Sequence, residues 1–262
     1  MTKVHSPRRL TVKGVSLAYE EAGAGRALVC VHGNFASRRW FTDVLARPPG
    51  GWRVLALDLP NFGASDPMPG PISIGAYARY LQGFVDALGL ARPVLLGHSL
   101  GGAVVQVLAA RSSRLAAGLV LVASAPPNGI VTPSERYAML PLLRGNPQLM
   151  RQALAATMPT RTPPYFEALV KDALAMGSAA FTDNARALER YDVSGSLGGV
   201  LAPVLAVGGD RDYLIAAAMV RATAAAFAAG SSLLLPNVGH SPQIEAPEVF
   251  ARAIPTFPKW VP

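Results

Sequence analysis

Three observations predict an α/β fold: a mostly parallel twisted sheet with helices on both faces. Apolar runs ending in glycine or proline alternate with stretches of helical spacing, the pattern of strands joined by crossover helices. Those runs are apolar at nearly every position, as strands buried on both faces must be. Of the 262 residues, 51% are hydrophobic and 15% charged, which suits one α/β domain carrying an insertion.

The elements follow in order. Residues 10–22 alternate enough to form two short strands, an edge hairpin around Gly14. "ALVCVHG" is the first buried strand, "SRRWFTDVLA" has helical spacing with Trp40, Phe41, Val44 and Leu45 on one side, and "RVLALDLP" is the next strand. "SIGAYARYLQGFVDALGL" is an amphipathic helix: Tyr77, Tyr80, Leu81, Phe84, Val85 and Leu88 recur at steps of three and four, with Ser73 as N-cap and Gly89 as stop. "RPVLLG" is a strand, "LGGAVVQVLAAR" a helix and "LAAGLVLVASAPP" a strand. The rhythm then breaks. Residues 126–197 hold many prolines, four short helical patterns and no strand signal, and are expected to form a helical lid inserted in a core of residues 1–125 and 198–262. Alternation resumes with "APVLAVGG", a helix in "LIAAAMVRATAAAFAAG", a strand and turn in "SSLLLPNVGH", and a last helix in "PEVFARAIPTF".

Composition excludes several function classes. The net charge of +8 comes from arginines scattered along the chain, with no basic stripe interleaved with aromatics, so no nucleic-acid partner is expected. Arg38 and Arg39, beside the first strand's loop, could meet an anionic substrate, although a solvated helix face is the expected reading. The single cysteine, Cys30, cannot form an internal disulfide and sits in a strand as a small hydrophobe. His5, His32, His98 and His240 fall in no metal-ligand spacing. No apolar run approaches the roughly 18 residues of a membrane span, and the N-terminus lacks the apolar segment of a secretory signal. A cytoplasmic protein with no membrane partner is expected.

The chemistry gathers at strand ends. "GHSLG" is Gly-x-Ser-x-Gly placed strand first and helix second, so the sharp turn pushes the Ser99 hydroxyl out from the sheet's carboxyl edge. Gly97 and Gly101 are needed because side chains there would meet the neighbouring strand and helix. A nucleophilic serine needs a base, and His240 lies just beyond the last strand at the same edge. The base needs a carboxylate to fix its tautomer; "GGDRDYLI" offers Asp212, deeper in the loop, and Asp210, the expected turn residue. In "VHGNF", an N–H of Asn34, with Phe35 as the alternative, would join that of Leu100 in an oxyanion hole. His32 reads as a brace for that loop.

Together "HGNF", "DLPNFGASD", "GHSLGG", "GGDRD" and "GHSPQIEAPEVF" resemble the α/β-hydrolase superfamily over nearly the whole chain, least in the lid. The resemblance implies Ser99 as nucleophile, Asp212 as acid, His240 as base, and Asn34 and Leu100 as oxyanion donors. Tyr213-Leu214-Ile215 departs from relatives that carry a proline after the aliphatic residue. Haloalkane dehalogenases and epoxide hydrolases share this architecture but attack with aspartate, and serine at 99 argues against both. The expected activity is cleavage of a hydrophobic carboxylic ester or lactone through an acyl-enzyme on Ser99, with no metal or organic cofactor. Apolar lid residues (Tyr137, Met139, Leu140, Leu142, Leu143, Met150, Met158, Tyr165, Phe166, Met176) suggest the apolar pocket. C–C bond hydrolase, perhydrolase, acyltransferase and lyase activities share these residues, and a receptor-like binding protein could retain them too. Neither the oligomeric state nor the natural substrate is legible.

Overall fold

The computed structural model describes residues 7–256, with side chains as far as Arg252; His5, with the rest of residues 1–6, and Phe257 of the last predicted helix lie outside the described residues. The first hairpin pairs β1 (Arg8–Val12) with β2 (Val15–Gly23) in antiparallel register. Its turn, Lys13-Gly14, has φ of 49° and 80°. Both residues are left-handed, as a tight turn between right-twisted strands requires. Six further strands are mutually parallel: β3 (Arg26–Val31), β4 (Trp52–Leu57), β5 (Val94–His98), β6 (Gly118–Val122), β7 (Val204–Gly209) and β8 (Gly230–Leu235). The sheet order is β1-β2-β4-β3-β5-β6-β7-β8, so β2 joins the parallel part antiparallel to β4.

Alternate residues of one strand feed two different cores. Val29 and Val31 pack in the cluster that contains Tyr77, Leu81, Phe84, Val104 and Leu108. Leu28 and Cys30 pack with Phe41, Val44 and Phe250 on the other face. The sheet is therefore covered by helices on both sides, which is why its strands read as unbroken apolar runs.

In chain order the helices begin with α1 (Thr42–Ala46) and α2 (Ile74–Ala87). The predicted "SRRWFTDVLA" helix is split: Arg38–Phe41 form a 3-10 turn capped by Ser37, and only Thr42–Ala46 are α-helical. The longer α2 is capped by Ser73, whose side chain accepts from the Ala76 N–H, and stops before Gly89, at φ 60°. After β5 comes α3 (Leu100–Arg111), buried nearly all round. Between β6 and β7 lie α4 (Ser134–Gly145), α5 (Pro147–Ala156), α6 (Phe166–Leu174) and α7 (Ala180–Arg190). The last three are α8 (Ala217–Ala225), a short α9 (Pro242–Glu245) and α10 (Pro247–Thr256). The α9 turn and a 3-10 turn at Ser194–Gly199 are too short to carry a helical period and were not anticipated. Among the described residues no helix is long and apolar enough to cross a membrane.

Candidate active site

The turn from β5 into α3 is built from small residues out of steric necessity. A Cβ on Gly97 would lie 2.4 Å from the Gly101 carbonyl oxygen, and one on Gly101 would lie 2.3 Å from that of Val31. One on Gly102 would collide with Ser124 Oγ at 2.1 Å. Strand and helix therefore close to distances only glycine allows. Between them Ser99 is forced to φ 53°, ψ −116°, a conformation costing a non-glycine residue about 1–3 kcal/mol. The backbone is over-determined there: Ser99 donates its N–H to Val122, and its carbonyl accepts from Gly102, Ala103 and Ala125. Leu100 opens the helix, so its N–H is among those with no intrahelical acceptor. Ser99 Oγ itself makes no hydrogen bond among the described residues.

The β7 and β8 loops bring the acid and base together. Asp212, with a fully buried side chain, receives a hydrogen bond from His240 Nδ1 at 2.8 Å on Oδ2. Its Oδ1 accepts the N–H groups of Leu214 (2.8 Å) and Ile215 (2.9 Å), which fixes the carboxylate's orientation. Asp210 is exposed and stands outside this arrangement. The His240 backbone is clamped as well. Glu245 Oε1 accepts the N–H groups of Gly239 and Ser241 on either side, while its Oε2 accepts from the Thr160 hydroxyl at 2.6 Å. His98, adjacent to the serine, donates from Nε2 to the His240 carbonyl at 2.8 Å and stacks on Trp40. Burial, and secondarily the nearby His240, drive the His98 imidazole well below the usual histidine range, so it stays neutral.

The β3 loop supplies the remaining wall. A Cβ on Gly33 would lie 2.9 Å from Ser99 Cβ, so this backbone runs directly past the serine. Asn34 and Phe35 both line the cavity that contains Ser99, and Phe35 holds a φ of 53°. Asn34 Oδ1 accepts from Asn184 Nδ2 (2.9 Å), and Asn184 Oδ1 accepts from the Tyr77 hydroxyl (2.8 Å), tying the loop to α7 and α2. His32 is fully buried. It accepts the Leu59 N–H on Nε2, bonds the Gly33 carbonyl through Nδ1, and has its proton affinity lowered by burial against the opposing pull of Asp58.

Arg38 and Arg39 are not on a solvated face, nor do they line the cavity. Arg38 is buried, donating to Asp58 Oδ2 at 2.6 Å and to Glu20 Oε1 at 2.7 Å. Burial opposes its charge, yet Asp58 and Glu20 outweigh that and raise its pKa. Arg39 is paired with Asp172 at 3.0 Å. The helical spacing could not reveal this, because all three carboxylates come from distant segments.

Ser99 and His240 line one cavity of about 400 Å³. Its walls are chiefly apolar and come largely from α4 and α5: Met139, Leu140, Leu143, Leu149, Met150 and Leu154. Of the lid residues singled out from sequence, Met139, Leu140, Leu143 and Met150 line it and the others do not. Leu142 faces solvent, while Met158 and Met176 are buried in the core. Asn184 and Arg136, in or bracing the site, carry no local motif, and Glu245, although inside "GHSPQIEAPEVF", was given no role from sequence.

A model of the alpha/beta hydrolase family matches residues 28–253. The chain is similar to the dihydrolipoyllysine-residue acetyltransferase component of an acetoin cleaving system from Pseudomonas putida, 31% identical over 260 residues covering 93% of this chain and 66% of the relative. The chain spans only 39–66% of the length of the curated relatives it matches first. Among solved structures it is similar to a membrane phospholipase A described as a bacterial virulence factor, at 26% identity and a TM-score of 0.82, covering 96% of this chain and 85% of that one. The enol-lactonase of Burkholderia xenovorans LB400 shares the fold, with a TM-score of 0.85 at 21% identity over 95% of this chain and 99% of that one.

Proposed function

The chain belongs to the alpha/beta hydrolase family, and from that premise we propose that it cleaves a carboxylic ester or lactone through an acyl-enzyme on Ser99. One observation carries the reading: a serine held at φ 53° on a strand–helix turn shares an apolar cavity with a histidine whose Nδ1 is fixed by a buried aspartate. Asp212 keeps the His240 proton on Nδ1, which leaves Nε2 free to accept the Ser99 proton as Oγ bonds to the acyl carbon. The tetrahedral oxygen is stabilised by the N–H of Leu100 together with that of Asn34. Collapse breaks the carbonyl–alkoxy bond, and His240 returns its proton to the leaving oxygen. Water then repeats the sequence on the acyl-enzyme, its proton passing through His240 to Ser99 as the acid departs. Helices α4 to α7 act as a lid whose apolar residues exclude water from the acyl group, and the likeness to a phospholipase A supports an ester as substrate.

The test is hydrolysis of a short p-nitrophenyl ester by wild type and Ser99→Ala. Multiple turnover, lowered on the order of 10³-fold or more in kcat by the substitution, is expected. Near-full activity in the variant would overturn the mechanism. A single slow turnover in wild type would favour a binding protein over an enzyme.

A further inference from the structure

Among the described residues, the walls of the Ser99 cavity hold one permanently charged side chain, Arg136, and no carboxylate. Arg136 lies on α4, and its spacing to Leu140 and Leu143 places the three on one helical face, all lining the cavity. The two leucines are buried, whereas Arg136 is exposed, as are Val131, Met139 and Tyr213, which also line it. These four therefore frame the mouth, with Ser99, His240 and the leucines at the inner end. Every other arginine described so far has a carboxylate partner or lies away from the cavity, but the Arg136 guanidinium makes no ion pair or hydrogen bond among the described residues. An unpaired cation at the rim of an apolar chamber is a donor set waiting for an acceptor, and Tyr213, exposed on the same rim, adds a hydroxyl that can donate as well.

Resting on the ester-cleaving reading above, we propose that Arg136 and Tyr213 form a carboxylate subsite, so that the substrates are anionic: esters or lactones with a carboxylate separated from the scissile carbonyl by an apolar segment. The cavity volume of about 400 Å³ holds on the order of a dozen small groups at about 30 Å³ each, which sets the scale of that segment. The apolar wall binds it, the arginine fixes which end is outermost, and the carbonyl is thereby delivered to Ser99.

Two substrate pairs place the anion on either side of the ester. The acyl pair is p-nitrophenyl hydrogen adipate and its neutral isostere, p-nitrophenyl adipamate. The alcohol pair is 6-butanoyloxyhexanoate and 6-butanoyloxyhexanamide. Wild type should favour the carboxylate by about tenfold in kcat/KM in at least one pair, and Arg136→Gln should bring that ratio close to one. Arg144→Gln, which removes the same charge from α4 away from the cavity, should leave the ratio as it was. Preference for the amide in both pairs, or a ratio that Arg136→Gln does not change, would overturn the subsite. Calorimetry on Ser99→Ala with monobutyl adipate and its amide reads the same preference without turnover: about tenfold tighter binding of the acid, abolished by adding Arg136→Gln. Absence of hydrolysis would defeat the esterase reading alone, and equal binding of acid and amide would defeat the carboxylate subsite alone.

Discussion

At the scale of single residues, the choice between two aspartates in one loop has a chemical consequence. Asp212 uses both oxygens: Oδ1 takes two backbone N–H groups and Oδ2 takes His240 Nδ1. Asparagine at 212 can keep its carbonyl oxygen on the backbone donors, but then its NH₂ group faces Nδ1. A donor facing Nδ1 forces the proton onto Nε2, the atom proposed to accept from serine. The variant should therefore fold normally and lose on the order of 10³–10⁴ in kcat. Asp210→Asn, on an exposed side chain, should stay within about twofold of wild type. Stopped-flow ester hydrolysis on both variants checks this, and equal losses would remove Asp212 from the role proposed for it. Residue types and chain order marked Ser99, Asp212 and His240 as candidates, because each lies at or just beyond the end of a strand run. The role of Glu245 was not legible: it arises from a carboxylate curling back from α9 to accept the N–H groups of Gly239 and Ser241, six and four positions upstream, on both sides of a histidine.

At the scale of elements, the loop between β3 and α1 is held by charge rather than by helix propensity. Asp58, at the end of β4, accepts the Arg38 N–H, the Arg38 guanidinium and the Ala64 N–H. Removing the guanidinium would leave a fully buried carboxylate with two neutral donors and no counter-charge. Arg38→Ala should cost about 3 kcal/mol or more in urea unfolding. Arg39→Ala, whose pair with Asp172 is partly solvated, should cost about 1 kcal/mol or less. Equal costs would show that the buried pair does not hold this loop. The same contrast explains what periodicity missed. Ser73, Gly89 and the apolar stripe of α2 are local signals that survive in one dimension. The burial of Arg38 depends on β2 and β4 lying side by side, a pairing between residues 20 and 56 that no local pattern contains.

At the scale of the whole molecule, the carboxyl end of the sheet, where the candidate site lies, is welded together by neutral imidazoles, and this ties stability to pH. His98 and His32 are both buried between β3, β5 and the loops, and burial lowers the pKa of each below 6.5, His98 more strongly. In the unfolded chain both regain ordinary values and bind protons as pH falls through about 6.5. The unfolded state then holds more protons than the folded one, so stability must fall with falling pH, by about 1.4 kcal/mol per pH unit for each fully linked proton. Asp172, whose carboxyl is pushed up by burial, works in the opposite direction, gaining stability as pH falls through its raised value. A net loss of stability between pH 7.5 and pH 5 is the expected outcome of urea titrations across that range. The decisive variant is His98→Gln, which can still offer an N–H to the His240 carbonyl but has nothing to titrate. Its stability should fall more gently with acid, by close to one proton's worth of slope. A wild-type profile that is flat over this range, or a variant with the wild-type slope, would mean that His98 is not the neutral strut joining the serine turn to the histidine loop.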